Sequence, residues 1–370
     1  MKILSVVGTR PNFMKVAPII KALDRKRPLF QHTLVHTGQH YDERMSASFF
    51  EDLKMPKPDF ELGVGSGSHA QQTAAVMTKI EPVLLGIMPD LVIVVGDVNS
   101  TLACALTARK LNLTVAHVEA GLRSFDMTMP EEINRLCTDT ISDILFTTDV
   151  LANENLYREG AAKDKVHFVG NVMIDSLLSQ IKVAERLAFH NTLGVQPGSY
   201  ATLTLHRPSN VDDATKLTEI IDTISAAMPD ILVVFPIHPR TRKRVDEFGL
   251  TGRFTDSPAK PGIFLVEPLG YLEFLSLNQR ARLVLTDSGG LQEETTILGI
   301  PCVTLRENTE RPITVTDGTN RLAGTTRSGI MSAIKEALSS KTGSARHPEK
   351  WDGHAAERIV DVIVEQFLQL

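Results

Sequence analysis

Three carboxylates punctuate residues 96–135, each where the pattern turns from strand to loop or helix. Asp97 comes just after the apolar run Leu91, Val92, Ile93, Val94 and Val95, with only Gly96 between them. Glu119 follows a second run over residues 113–118, interrupted by His117. Glu131 follows Pro130, which suits the first turn of a helix, and Arg135 shares its helical face. A strand buried on both faces delivers the residues after it to the carboxyl edge of a parallel sheet, where α/β proteins present their ligand groups. Carboxylates gathered there act as general acid and base, or steady a developing cation. Acidic residues also cap helices, and capping accounts for Asp97 or Glu131 taken singly. It does not account for Glu119, beside Gly121 and Arg123 in a loop, so the set reads as chemistry.

Two other stretches suit an anion. Residues 3–7 read as a buried strand, and G-T-R-P-N-F-M-K at residues 8–15 opens a helix. A strand, a glycine turn and a helix start offer free N–H groups and the helix dipole, and Arg10 and Lys15 add formal charge. The plainer alternative is a solvated loop arginine and a surface lysine. In the second half, D-S-G-G-L-Q-E-E at residues 287–294 follows a strand over 283–286 and opens a helix. The N–H groups of Ser288, Gly289 and Gly290 are placed to form a concave anion nest. Glu294, one turn further on, is spaced to bridge the two hydroxyls of a ribose. With Arg10, Arg207 and Arg311 at hand, a nucleotide diphosphate is the economical ligand. His206 and His238 both end strands; Arg207 beside His206 marks a charged site there, whereas His238 reads as structural.

The elements that must position these residues alternate strand and helix throughout, the signature of doubly wound parallel sheets. Strands are expected at residues 3–7, 33–36, 91–95, 113–118, 144–147 and 166–169, then at 200–205, 231–237, 263–266, 283–286 and 302–305. Helices are expected between them, including one over 46–53, and the chain closes on a helix over 355–369. Its face of Ile359, Val362, Ile363 and Phe367 is expected to be buried. Gly170-Asn171 is turn chemistry and marks the boundary between a first domain, residues 1–170 with the last helix at about 354–370, and a second, residues 171–353.

Composition sets the limits. The 370 residues are 42% hydrophobic, 22% charged and 5% aromatic, with a net charge of −5. That length favours two domains, and that charge argues against a sequence-independent grip on nucleic acid. Cys104, Cys137 and Cys302 are widely spaced and read as buried structural thiols in a reducing compartment. No apolar run approaches a membrane span, and the opening M-K-I-L-S-V-V reaches Gly8 and Arg10 too soon for a signal peptide; the expected location is cytoplasmic. The glycine string G-V-G-S-G-S-H at residues 63–69 lacks the preceding strand and downstream acid of a dinucleotide fingerprint. It reads as a loop with Ser68 as helix N-cap, so no nicotinamide cofactor is expected. No metal-ligand spacing such as H-E-x-x-H occurs, and no catalytic metal is expected.

In order, G-T-R-P-x-x-x-K at residue 8, G-D at 96, H-V-E-A-G-L-R at 117, P-E-E-x-N-R at 130, H-R at 206, T-D-S-G-G-x-Q-E-E at 286 and T-E-R-P at 309 resemble the non-hydrolysing UDP-N-acetylglucosamine 2-epimerases. The resemblance spans essentially the whole chain. It implies a glycosyltransferase-B (GT-B) fold, two Rossmann-like doubly wound domains with the active site in the cleft between them, in a homodimer that interconverts UDP-N-acetylglucosamine and UDP-N-acetylmannosamine. It implies that Asp97, Glu119, Glu131 and His206 are catalytic. Arg10, Lys15, Arg135, Arg207, Phe274, Ser288, Gly289, Gly290, Glu294 and Arg311 would bind the UDP-sugar, Phe274 against uracil. Asn12 stands where many members carry an acid. Gln39-His40-Tyr41-Asp42 departs from the Gln-His-Arg pattern of members activated by a second substrate molecule. T-G-Q-H-Y-D is also seen in relatives that epimerise 2,3-diacetamido glucuronate sugars.

The C2 proton of such a sugar is not beside a carbonyl, and no nicotinamide site is present in the pattern to oxidise C3. The remaining route cleaves the C1–O bond to UDP, making C1 cationic and C2–H acidic. A carboxylate then takes the proton to give a glycal; protonation from the other face and re-addition of UDP invert C2.

Overall fold

The computed structural model describes residues 1–38, 53, 55–339 and 347–368. By packing, the chain falls into two units, Met1–Leu178 with Glu349–Leu370, and Ser179–Pro348. Both have the α/β pattern expected from the alternation of elements.

Among the described residues the first unit carries seven parallel strands: β1 (Lys2–Val7), β2 (Gln31–His36), β3 (Phe60–Glu61), β4 (Leu91–Val95), β5 (Thr114–Ala120), β6 (Ile144–Thr147) and β7 (Val166–Phe168). Their order is β3-β2-β1-β4-β5-β6-β7. Strand order therefore reverses between β1 and β4, which opens a crevice at their carboxyl ends. Every side chain of β4 is buried, as its unbroken apolar run requires. One face of the sheet packs against the His69–Ile87 and Asn99–Lys110 helices through Val76, Ile80, Leu84, Ala103 and Ala105. Burial of that apolar surface contributes about 25 cal/mol per Å2. Ser68 caps the first of these helices, its hydroxyl accepting the Gln71 N–H at 3.3 Å, so the glycine string before it leads into a helix start.

The second unit repeats the plan with six strands among the described residues: β8 (Tyr200–Thr204), β9 (Leu232–Pro236), β10 (Gly262–Val266), β11 (Leu283–Thr286), β12 (Cys302–Thr304) and β13 (Asn320–Leu322). Their order, β10-β9-β8-β11-β12-β13, puts the reversal between β8 and β11. Leu203, Leu285, Val303, Ile220, Ile224 and Ile334 form the centre of its core.

The Ala355–Leu368 helix belongs to the first unit. Asp175 receives its first N–H groups, from Ala355 at 3.2 Å and Ala356 at 2.7 Å. Trp351 Nε1 donates to the Thr148 carbonyl at 3.0 Å. Ile359, Val360 and Ile363 are buried; Val362 and Phe367 of the expected face are only half-buried.

Four expectations need correction or limit. β3 and β13 are too short, at two and three residues, to leave a periodic signal. β5 runs on to Ala120, so Glu119 lies within the strand and not beyond it. Cys104 and Cys302 are buried, but Cys137 is exposed, on the outer face of the Pro130–Ile141 helix. The helix expected over 46–53 lies, apart from Leu53, outside the described residues, as do Gln39, His40, Tyr41 and Asp42. No described helix is long and apolar enough to cross a membrane.

Candidate active site

The first cluster sits at the crevice between β1 and β4. Asn12 sets its base: the Asn12 carbonyl oxygen accepts the N–H groups of Gly8 at 3.2 Å and Thr9 at 3.0 Å, while its amide donates to the Val95 carbonyl at 3.0 Å. It thus pins the turn after β1 to the end of β4. Lys15 reaches inward from the Arg10–Arg25 helix and forms an ion pair with Glu119 in which both partners are buried. The surface reading of Lys15 is therefore wrong, and its charge is answered by a carboxylate of its own unit. Gly96 makes room for this pair. A Cβ there would stand 2.7 Å from Lys15 Nζ, and the residue adopts φ +68°, a conformation glycine takes without strain.

Glu119 itself has φ +75°, uncommon for any residue with a side chain. It is the residue skipped where β5 shifts register against β6. The bulge re-aims its carboxylate, as bulges beside functional sites do, and the strained backbone persists because neighbours over-determine it.

Asp97 and Arg135 meet at 2.5 Å, Oδ2 to Nη1. Arg135 is 1% exposed and donates through its other nitrogen to Glu132 at 2.6 Å. Asn134 donates to the Asp97 carbonyl at 2.8 Å. The Pro130–Ile141 helix is thereby docked on the end of β4, with Glu131 half-exposed in its first turn and in no ion pair among the described residues. Arg135, expected to contact substrate, is buried and paired with both Asp97 and Glu132.

Beneath these groups lies a buried network. His117 has Nε2 at 2.8 Å from the Gly96 carbonyl and Nδ1 at 2.6 Å from Asp139. Asp139 also meets Arg123 at 2.7 Å, and Arg123 continues to Glu159 at 2.6 Å. Burial works against charge on Asp139, yet His117 and Arg123 more than offset it and hold its carboxyl below the usual carboxylate range.

The second cluster occupies the corresponding crevice between β8 and β11. Asp287, buried, accepts the N–H groups of His206 at 3.0 Å and Arg207 at 2.9 Å, and its Oδ1 lies 2.7 Å from His206 Nδ1. Burial opposes its charge, but these hydrogen bonds prevail and depress its pKa. The His206 ring stays exposed, with its second nitrogen turned away from Asp287. His238, 6.3 Å from it ring to ring, caps the Pro239–Glu247 helix by accepting the Arg240 N–H at 3.2 Å, which is the structural role expected for it.

Ser288 donates its N–H to Thr286 Oγ1 at 2.9 Å. The nest therefore begins with Gly289 and Gly290, at the uncapped start of the Gly289–Leu298 helix. A Cβ on Gly289 would lie 2.5 Å from Arg311 and 2.6 Å from Glu310, so this glycine is needed to admit the arginine beside the helix start. Arg311 pairs with Glu310 and, at 2.8 Å, with Glu293. Glu310 also receives Arg306 at 2.8 Å and approaches Arg207 at 3.9 Å. Despite burial, these cations pull the Glu310 pKa far down. Three arginines thus gather around one buried carboxylate at an anion-seeking helix end.

Glu294 behaves oppositely. Burial first, then the charge of Glu293, push its pKa up to about 8, with a hydrogen bond from Tyr271 working the other way. Phe274 lies half-buried on the Tyr271–Asn278 helix. The side chain of Arg10 lies outside the described residues, although its backbone begins the Arg10–Arg25 helix.

The structure therefore brings Lys15, Asp97, Glu119 and Arg135 together in one unit, with Glu131 at the edge. In the other it gathers His206, Arg207, Ser288, Gly289, Gly290 and Arg311. Sequence reasoning passed over Glu132, Asp139, Asp287 and Arg306 as participants. Glu132 and Arg135 are spaced i,i+3 on a helix, and that pairing was readable; Arg306 and Glu310 pair across a loop, where spacing gives no signal. Asp139 carried no local signal. Among the described residues no cluster of His, Cys, Asp and Glu has a metal-binding arrangement.

Comparison with known proteins gives this architecture a lineage. The family model described as UDP-N-acetylglucosamine 2-epimerase matches residues 21–364. The UDP-N-acetylglucosamine 2-epimerase of Methanocaldococcus jannaschii is 45% identical over 98% of this chain and 99% of its own. A crystal structure of the M. jannaschii enzyme in complex with UDP-GlcNAc and UDP superposes with a TM-score of 0.90, covering 99% of this chain and 100% of that one. The UDP-2,3-diacetamido-2,3-dideoxy-D-glucuronate 2-epimerase of Pseudomonas aeruginosa is 43% identical over 99% of this chain and 100% of its own. At 11% identity and a TM-score of 0.60, the glycosyltransferase of kitacinnamycin, covering 99% of this chain and 98% of that one, shares the fold alone, which is GT-B. By sequence and by structure, this chain belongs to the UDP-N-acetylglucosamine 2-epimerase family.

Proposed function

We propose that the protein interconverts UDP-N-acetylglucosamine and UDP-N-acetylmannosamine by eliminating UDP to a glycal and adding it back on the inverted sugar. The observation that carries the mechanism is the pairing of Glu119 with Lys15 and of Asp97 with Arg135 at a strand-order reversal, with Glu131 beside them. Carboxylates held by cations at fixed positions suit proton abstraction, proton return and stabilisation of positive charge at C1. Lys15 donates to Glu119 and so fixes where that carboxylate stands. The second cluster suits the leaving group: the Gly289 helix start and Arg207, Arg306 and Arg311 stabilise a departing diphosphate, with His206 presenting its free ring edge. Glu294, once ionised, accepts the ribose hydroxyls, and Phe274 lies against the base. Resident metal and nicotinamide are not called on by any of these steps.

A second substrate reading rests on the 43% identity to the P. aeruginosa epimerase: a UDP-2,3-diacetamido-2,3-dideoxyglucuronate takes the place of UDP-N-acetylglucosamine in the same chemistry. The family resemblance supports a cytoplasmic homodimer, with polysaccharide precursors as the product's use. The decisive test incubates the protein with UDP-N-acetylglucosamine in heavy water and follows C2 by NMR. Formation of the 2-epimer with deuterium at C2 and UDP retained is expected. A 2-epimer without deuterium overturns the elimination route, and free N-acetylmannosamine would mean hydrolysis. A glycosyltransferase would leave C2 untouched, and a binding protein would bind UDP-sugar without turnover.

A further inference from the structure

We propose that the loop over residues 124–129 is the sugar-side wall of the reaction site, with Phe125 as the side chain that covers the reacting sugar. The inference rests on the epimerase reading. Phe125 is 69% exposed and Met127 60%, the two most exposed of the large apolar side chains described. Chance exposure of this kind usually belongs to a slack loop, and this loop is held firmly. Glu132, 1% exposed, accepts the N–H groups of Ser124 at 3.0 Å and Phe125 at 2.8 Å, together with the Ser124 hydroxyl at 3.1 Å. The same Glu132 bonds to Arg135, and Arg135 bonds to Asp97. Phe125 is therefore tied to a proposed catalytic carboxylate through two side chains.

The tie is costly. Phe125 takes φ +58°, a left-handed conformation that L-residues other than Gly, Asn and Asp seldom adopt. Glu132 and Arg135 form a buried ion pair, an arrangement favoured for fixing geometry more than for stability. Strain and buried charge together hold an aromatic ring out in solvent, on a loop linked to Asp97 through Glu132 and Arg135. An exposed ring on a loop braced to Asp97 has one evident ligand: the C–H face of a sugar, and more so the flattened glycal, which must be kept from water while UDP is detached. Glu132 is then a positioning residue, linking the placement of Asp97 to that of the cover.

The test exploits the strained backbone. Glycine accepts φ +58° without penalty, and little of the ring is buried, so Phe125→Gly should melt no lower than wild type. It should nevertheless lower kcat/KM about tenfold and raise the free UDP and glycal released per 2-epimer formed by a similar factor. Phe125→Leu should restore most of the wild-type ratio, and UDP binding should be unchanged in both. A Phe125→Gly protein with wild-type kcat/KM and wild-type release of UDP overturns the proposal. So does a change of oligomeric state by sedimentation with unaltered release, which would assign the ring to a contact between copies of the chain. If wild-type protein forms no deuterated 2-epimer, the epimerase reading fails and this inference with it; wild-type turnover indifferent to Phe125 defeats this inference alone.

Discussion

The crevice at β1 and β4 and the crevice at β8 and β11 are built on the same sheet topology and hold opposite chemistries. In the first, the groups proposed to act are carboxylates, each ion-paired with a cation, Lys15 or Arg135. In the second, the groups proposed to act are arginines and a helix start, and the carboxylates Asp287 and Glu310 beside them are buried at 0% and 4% exposure. A strand-order reversal supplies an opening and free N–H groups; the side chains at its rim decide whether it works on a proton or grips an anion. At Asp97 and throughout the second crevice the brace lies deeper than the group it braces, while Lys15 and Glu119 are both buried. That arrangement fixes charge geometry where a lone buried charge would be unstable.

The comparison is broken most sharply at the first crevice. Asp97→Asn or Glu119→Gln should lower kcat by about a thousandfold or more while UDP affinity by calorimetry stays near wild type. If both variants lose only affinity, the division of labour is wrong. At the second crevice, Arg311→Ala should weaken UDP binding by roughly ten- to a hundredfold. It should also reduce stability to urea by about 3 kcal/mol, because Glu293 and Glu310 lose a buried counter-charge. A kcat loss with intact affinity would place Arg311 in the other class.

Glu294 gives a test in pH. Only its ionised form accepts two hydroxyls, and its pKa is about 8 without nucleotide. Nucleoside affinity should therefore rise up to tenfold per pH unit below 8 and level off above it, measured with uridine so that phosphate ionisation does not intrude. Glu294→Gln should bind weakly and show no such rise. The smallest effect separates the two histidines. His238→Ala removes a helix cap and should cost at most about 1 kcal/mol of stability with kcat nearly unchanged, whereas His206→Ala should impair turnover.

Much of the fold was legible because long apolar runs state their burial directly: β4 and β11 begin and end where their runs do. The edge strands β3 and β13 were not, since two or three residues carry no period. The site was legible as residue types at strand ends, and its pairings were not. Lys15 with Glu119, Asn12 with Val95 and His117 with Asp139 join segments far apart in the chain, and nothing local encodes them. Asn12 shows this most plainly. Its departure from an acid looks inconsequential in sequence, but it ties the ends of two strands together. Likewise the left-handed backbone of Glu119 and Phe125 is set by tertiary partners, against the preference of both residue types.

The placement of the Ala355–Leu368 helix has a consequence for how the polypeptide matures. It completes the unit to which residues 1–178 belong, so that unit stays missing a piece until residues 355–368 have been made. The intervening segment, residues 179–348, is contiguous and owes its own core nothing from elsewhere. On the ribosome, the part made second is thus free to mature ahead of the part begun first, with the seam at Asp175 closing last.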